Sequence, residues 1–198
     1  MNSKIKLLAI IGSQRKDGNS YLLAKTILES VKVNYEITQL AEKKLKFCNL
    51  CGKCEQDECP LDDDFNQILE KMKKADGIIL SFPRYFFLSS KFLCFIERLV
   101  MPFHFKEYHG YEKMGVKPDS TVSPPFEGKL CCLFVVSDTG WMGEESMKLV
   151  AHEIERIGMG VIGKVLLKSE DVGKVLEDRE SLTKCKGLVE KIVYSIKK

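Results

Sequence analysis

Long apolar runs are missing from this chain. No stretch of its 198 residues approaches transmembrane length. The opening MNSKIKLLAIIG holds an apolar run too short for a signal peptide, and no cleavage-type motif follows it. A surplus of one charge is missing too. Lys and Arg interleave with Asp and Glu to a net charge of +3, which gives no case for nucleic-acid or membrane binding. Histidine is scarce, and His104, His109 and His152 show no metal-type spacing. There is no internal repeat and no low-complexity segment. What remains is the profile of one domain with a sizeable core. Eight cysteines without a secretory signal point to a reducing cytoplasm and to metal binding, not to a disulfide framework.

Half of those cysteines crowd one loop. Cys48, Cys51, Cys54 and Cys59 lie in FCNLCGKCEQDECP, a C-x2-C-x2-C-x4-C run closed by Pro60. So compact a set of thiolates can wrap one small metal centre. A cubane of iron and sulfide needs four thiolates from one side and fits this spacing best. In the similar bacterial ferredoxin run the fourth cysteine serves a second cluster, but this chain has no second run. The reading is therefore one 4Fe–4S centre on all four thiolates. Zinc remains open, although structural zinc sites usually come as two separated pairs. Free or redox-active thiols remain open as well. Cys94, Cys131, Cys132 and Cys185 fall in apolar runs or on an apolar helix stripe and read as buried small hydrophobes.

Apolar runs alternate with amphipathic segments along the chain. Strands are expected at Lys6–Gly12, Tyr35–Leu40, Gly77–Phe82, Leu130–Ser137 and Val161–Leu167. Helices are expected at Asn19–Val31, Asp62–Lys74, Ser89–Val100 and Glu144–Ile157, with a last one striped by Leu182, Cys185, Leu188, Ile192 and Ile196. This order argues for an α/β fold, a parallel sheet covered on both faces. Met101–Gly128, with four prolines and three glycines, is the irregular part, suited to a lid or a subunit contact. Asp62, Asp63 and Asp64 read as caps and dipole partners of the following helix, with a docking patch for a basic protein as the other reading.

Three loops are candidates for a ligand. After the first strand comes Gly12-Ser13-Gln14-Arg15-Lys16-Asp17-Gly18-Asn19-Ser20, then a helix. Backbone N–H groups, hydroxyls and a cation make a phosphate cradle there. The loop lacks the Gly-Lys-Ser/Thr of a P-loop and the Gly-x-Gly-x-x-Gly of a dinucleotide site, so a monophosphate is the better guess. The plain alternative is an ordinary turn with Asn19 as N-cap. The third strand ends in SFPRYFF and the fourth in SDTGWMG, where aromatics and glycines can meet a ligand or simply close a turn. Together the three loops converge on one crevice.

GSQRKDGNS, FPRYFF and the cysteine run resemble the iron–sulfur flavoprotein branch of the NADPH-dependent FMN reductase family. The likeness runs from about Lys4 to Ile162. It implies a flavodoxin-like sheet of order 2-1-3-4-5, with the cluster loop, residues 47–60, inserted after the second strand. It implies FMN, with phosphate contacts on Ser13, Arg15, Asn19 and Ser20. Its flavin-ring loop falls on Pro83, Arg84, Tyr85 and Phe86, and a second one near Thr139 and Gly140; Trp141 beside them reads as a flavin neighbour or as packing. Arg84 stands where an aliphatic residue is usual, and Phe87 where a small one is. Phe87 is expected to crowd the nicotinamide position, which favours a ferredoxin-like carrier as electron donor and a small molecule as acceptor. The alternatives are an NAD(P)H-dependent flavin or quinone reductase with a structural cysteine loop, and a non-catalytic redox sensor or FMN carrier. Homodimers or homotetramers are also implied.

Overall fold

Apolar runs form the central strands and a mixed segment forms the edge strand Asn34–Gln39, and the alternation along them explains the layers. The computed structural model describes residues 5–54, 58–107 and 124–197. Strands β1 (Lys6–Ile11), β2 (Asn34–Gln39), β3 (Gly77–Arg84), β4 (Leu130–Ser137) and β5 (Gly160–Lys168) pair in parallel in the order β2-β1-β3-β4-β5. That is the flavodoxin-like order. Within β1, Leu8 and Ile10 enter one core while Leu7, Ala9 and Ile11 enter the other. β4 divides likewise, with Cys131, Leu133 and Val135 on one face and Cys132, Phe134 and Val136 on the other. Side chains on a strand point alternately to opposite faces, so a sheet clad on both sides reads as continuous apolar sequence.

Helices α1 (Asn19–Val31) and α5 (Arg179–Ile196) cover one face through Leu23, Ile27, Val189 and Ile192. Helices α2 (Phe65–Lys74), α3 (Ser90–Glu107) and α4 (Gly143–Arg156) cover the other through Phe65, Ile68, Phe92, Phe95, Met147 and Ile154. The central strands β3 and β4 are buried almost throughout, whereas the edges β2 and β5 are partly exposed. Among the described residues no helix is long and apolar enough to cross a membrane.

Helix α2 starts at Phe65, three residues later than expected, β3 runs two residues further, to Arg84, and the largest difference is at the end of α3. Helix α3 does not stop at Val100 but runs to Glu107 with Pro102 inside it. Proline removes one helical hydrogen bond and reads as a breaker, yet Pro102 is itself buried and the helix continues. The irregular segment expected from Met101 therefore begins as helix. Residues 108–123 lie outside the described residues, as do 55–57 of the cysteine loop.

Candidate functional site

The strand order reverses between β1 and β3, and both β1–α1 and β3–α3 loops leave the carboxyl edge there. Open parallel sheets bind ligands at such a switch point. A cavity of about 210 Å³ lies at this edge. Ser13, Arg15, Gly18, Asn19 and Ser20 line it from the first loop, and Pro83, Arg84 and Tyr85 from the third strand's end.

The first loop is built tightly. Ser13 Oγ accepts the Arg15 N–H at 3.0 Å, and Ser89 Oγ donates to the Gly12 carbonyl. Gly12 has no room for a side chain. A Cβ there would meet Phe92 at 2.6 Å and Phe82 at 2.7 Å, and those two rings stack on each other. The N-cap of α1 is Gly18, not Asn19, and no side chain caps it. Asn19 does other work. Its amide donates to Ser169 Oγ and to the Asp171 carbonyl, and its Oδ1 accepts the Gly173 N–H at 2.8 Å. Asn19 thus ties the loop after β5 to the cavity, which explains why Ser169, Glu170 and Val172 line it. Ser20 Oγ is buried and has no hydrogen-bond partner. An uncapped helix start, a neighbouring cation and an unpartnered buried hydroxyl form the donor set a phosphate uses.

Three expected residues lie off the cavity. Phe86 is 87% exposed at the loop tip, and Thr139 and Gly140 do not line the cavity, whereas Ser137 and Asp138 just before them do. Gly140 serves a turn instead. It has φ 75°, its N–H donates to Ser137 Oγ, and a Cβ would meet the Lys168 side chain at 2.5 Å. Phe87 is half-buried against the core and does not line the cavity. The letters Gly-x-Gly-x-x-Gly do occur at Gly158–Gly163, but they lead into β5 and open no helix.

The cysteine loop lies between β2 and α2, pinned from below by α3. Lys91 Nζ donates to the carbonyls of Leu40, Ala41 and Lys43. One turn on, Cys94 Sγ donates to the Lys46 carbonyl at 3.2 Å, and Arg98 Nη1 donates to the same oxygen at 3.0 Å. Arg98 also pairs with Asp63 through both Nη atoms, with both side chains 1% exposed, and its guanidinium lies 4.3 Å from the centre of the Phe65 ring. Asp63 further accepts the N–H groups of Lys46 and Phe65, and Asp64 accepts that of Lys44. So Asp63 is a buried anchor of the loop, not a docking patch. Burial pushes its carboxyl up, but Arg98 and the Lys46 and Phe65 N–H groups outweigh that and hold it below the usual range.

Two left-handed residues, Leu50 (φ 53°) and Gly52 (φ 68°), curl the run between Cys48 and Cys54. All eight cysteines are free, and the four of the run are half-buried. Burial pushes the Cys54 thiol up to about 12, and Cys59, Cys51 and Cys48 push it the same way while Arg98 opposes. Among the described residues, however, no three His, Cys, Asp or Glu side chains are gathered as a ready-made site for a single metal ion. Cys131, Cys132 and Cys185 are fully buried, as expected of small hydrophobes.

The family described as NADPH-dependent FMN reductase matches residues 5–171, and the chain belongs to it. Over 86 residues the chain is 43% identical to an iron–sulfur flavoprotein of Methanocaldococcus jannaschii, a match covering 41% of this chain and 45% of that protein. Over 85 residues it is 36% identical to the iron–sulfur flavoprotein of Methanosarcina thermophila, covering 41% and 44%. Each match thus spans less than half of the relative's length. Among solved structures, the Trp repressor binding protein from Bacillus subtilis superposes with TM-score 0.64 at 18% identity, covering 92% of this chain and 96% of that one. A flavodoxin from the domain Archaea gives TM-score 0.56 at 18% identity, covering 98% and 100%. These two likenesses concern the fold alone. The family model thus places the chain among the NADPH-dependent FMN reductases, and the relatives it matches over part of its length are named iron–sulfur flavoproteins.

Proposed function

We propose that this member of the NADPH-dependent FMN reductase family is an iron–sulfur flavoprotein that passes electrons between a ferredoxin-like carrier and a small acceptor. It would hold FMN in the cavity and one 4Fe–4S cluster on Cys48, Cys51, Cys54 and Cys59. FMN supplies two-electron chemistry and the cluster one-electron chemistry, so together they change the electron count.

The observation that carries this reading is the unpartnered Ser20 Oγ at the uncapped start of α1. In the proposal Ser13, Arg15 and Ser20 hold the phosphate. Asn19 keeps the loop after β5 against it. Pro83, Arg84 and Tyr85 border the ring, while Phe86, Thr139 and Gly140 support the rim. The cavity is smaller than a drug-sized pocket, which leaves the ring edge near the exposed Phe86 and Trp141. At the cysteine loop a cluster suits the donor set better than zinc. A single tetrahedral ion needs four sulfurs crowded on one centre, whereas a cubane spreads them over its corners. The exposed Phe47, Leu50, Phe86 and Trp141 support a homodimer or homotetramer that covers loop and rim.

The position of Phe87 favours a second reading. Because that ring packs on the core, nicotinamide is not kept from the flavin by it. An NAD(P)H-dependent flavin or quinone reductase is therefore the rival. Anaerobic purification with iron, sulfide and flavin analysis tests the cofactors, and stopped-flow reduction tests the donor. Reduced ferredoxin should reduce both centres rapidly. Fast reduction by NADPH, with ferredoxin inert, would favour the rival. Zinc without acid-labile sulfide would remove the cluster.

A further inference from the structure

Arg84 ends β3 only 5% exposed, and it lines the cavity between Pro83 and Tyr85. Its Nη2 donates to the Phe86 carbonyl at 3.0 Å, and its guanidinium lies 4.8 Å from the centre of the Trp141 ring. Its Nε is buried without a partner. Asp138 and Glu170 line the same cavity, yet among the described residues neither forms an ion pair with Arg84. A guanidinium keeps its proton in a protein. An unpaired buried ion is costly, and the cost is offset when a ligand brings the opposite charge.

The phosphate of FMN would be met elsewhere in the cavity, by the loop Ser13–Ser20. The ring becomes charged only on reduction. Two electrons and one proton, delivered together as a hydride or separately by a carrier, leave one negative charge on the isoalloxazine. We propose that Arg84 holds that charge, so that the cavity binds reduced FMN more tightly than it would without the guanidinium, and the reduction potential of bound FMN is raised. The proposal rests on FMN being the occupant, as proposed above. Charge near the flavin ring is a principal means by which a protein tunes it.

A merely structural Arg84 would stitch two loops, through the Phe86 carbonyl and the Trp141 ring. The test separates the two roles. Dissociation constants are measured anaerobically for oxidised FMN and for FMN kept reduced by excess dithionite, with the whole chain. Arg84→Gln should lower the preference for reduced FMN about tenfold, equivalent to about 30 mV in a two-electron potential. Arg84→Lys, which keeps the charge, should retain most of it. Arg15→Ala, at the phosphate, should weaken both forms alike and leave the ratio unchanged. An unchanged ratio in Arg84→Gln overturns the proposal, and so does an equal loss in the Gln and Lys variants. If Arg84→Gln does not fold, Arg84→Met, which keeps the bulk and loses the charge, takes its place in the same comparison, and an unchanged ratio there overturns the proposal. No binding of either form by the wild type would overturn the FMN reading itself, and this inference with it.

Discussion

Arg84 and Arg98 are buried to nearly the same degree, 5% and 2% exposed, but in opposite company. Arg98 meets a carboxylate with both Nη atoms, a backbone carbonyl and an aromatic face. Arg84 meets one carbonyl and one indole and lines a cavity, and the Nε of each arginine is buried without a partner. One cation is paired with a carboxylate inside the fold, and the other has no carboxylate partner among the described residues. The same division separates the two regions they serve. The cysteine loop has no regular structure in residues 43–54, so side chains from α3 and the Asp63–Asp64 pair must satisfy its backbone. The phosphate loop is held by backbone and small side chains, so its donors remain available. A buried ion pair is weak evidence for stability, but breaking one is costly because it strands a charge.

The largest expected effect comes from removing the paired cation. Arg98→Met should cost about 3–5 kcal/mol in chemical denaturation, since Asp63 would be left charged and buried. Adding Asp63→Asn should return much of that loss. The pH dependence follows from the depressed carboxyl. The stabilisation from Asp63 is fully present above the unfolded carboxylate value of 3.8 and is lost as pH falls through the lower folded value. The gap in denaturation midpoint between wild type and Asp63→Asn should therefore close on acidification below about pH 4. A gap that stays constant into strong acid would contradict this account.

Gly12→Ala should cost about 1–3 kcal/mol, because the new methyl must displace a buried stacked pair of phenylalanines. Its effect should fall on the fold first and on FMN through the distorted loop. Thermal denaturation without FMN isolates the first part, and an unshifted midpoint would show that β1 and α3 can separate cheaply there.

These two sites also show what the sequence could and could not reveal. β1, β3 and β4 were legible as continuous buried runs, and the edge strands β2 and β5 as mixed segments, all bounded by polar turns. The last residues of α3 were not, because Met101-Pro102 carries a breaker signal that tertiary packing overrides. Gly12 and Ser20 fall in a recognisable strand-to-helix loop. Arg98–Asp63 spans 35 positions, and Asn19–Gly173 spans 154, so no local pattern announces either. Asp63 reads as a cap, and its Oδ1 does accept the first N–H of α2, that of Phe65, although the N-cap residue is Asp64; its second oxygen meets Arg98 and the Lys46 N–H. The cavity residues after β5 carry no motif at all. The positive φ of Gly173 serves a turn that matters only once Asn19 is known to hold it.

At the phosphate loop the expected effect is on binding, not on folding. Arg15 is exposed, so Arg15→Ala should change stability by no more than about 0.5 kcal/mol. A charge-assisted hydrogen bond to phosphate is worth about 1.5–3 kcal/mol, so FMN should bind at least about tenfold more weakly. Equilibrium titration followed by flavin fluorescence measures it. Undiminished affinity would move the phosphate away from this loop.

The smallest effect on the fold is expected at the tip of the cysteine loop. Phe47 is 74% exposed and Leu50 48%, beside a run of half-buried thiols. An exposed phenylalanine contributes little to a single chain, so Phe47→Ser should leave the denaturation midpoint of the monomer within about 0.5 kcal/mol of wild type. The cavity rim offers a complementary patch in Phe86 and Trp141, 87% and 60% exposed. Burying such side chains between two copies would gain roughly 1.5–3 kcal/mol for each one fully covered. If loop and rim meet in a symmetric oligomer, Phe47→Ser should weaken association about tenfold or more while stability stays constant. Sedimentation velocity across a dilution series reads the association, and denaturation at the lowest concentration reads the fold. Unchanged association in both Phe47→Ser and Phe86→Ser would leave the loop's apolar tip to a carrier protein, and slower reduction by ferredoxin in those variants would then identify that role.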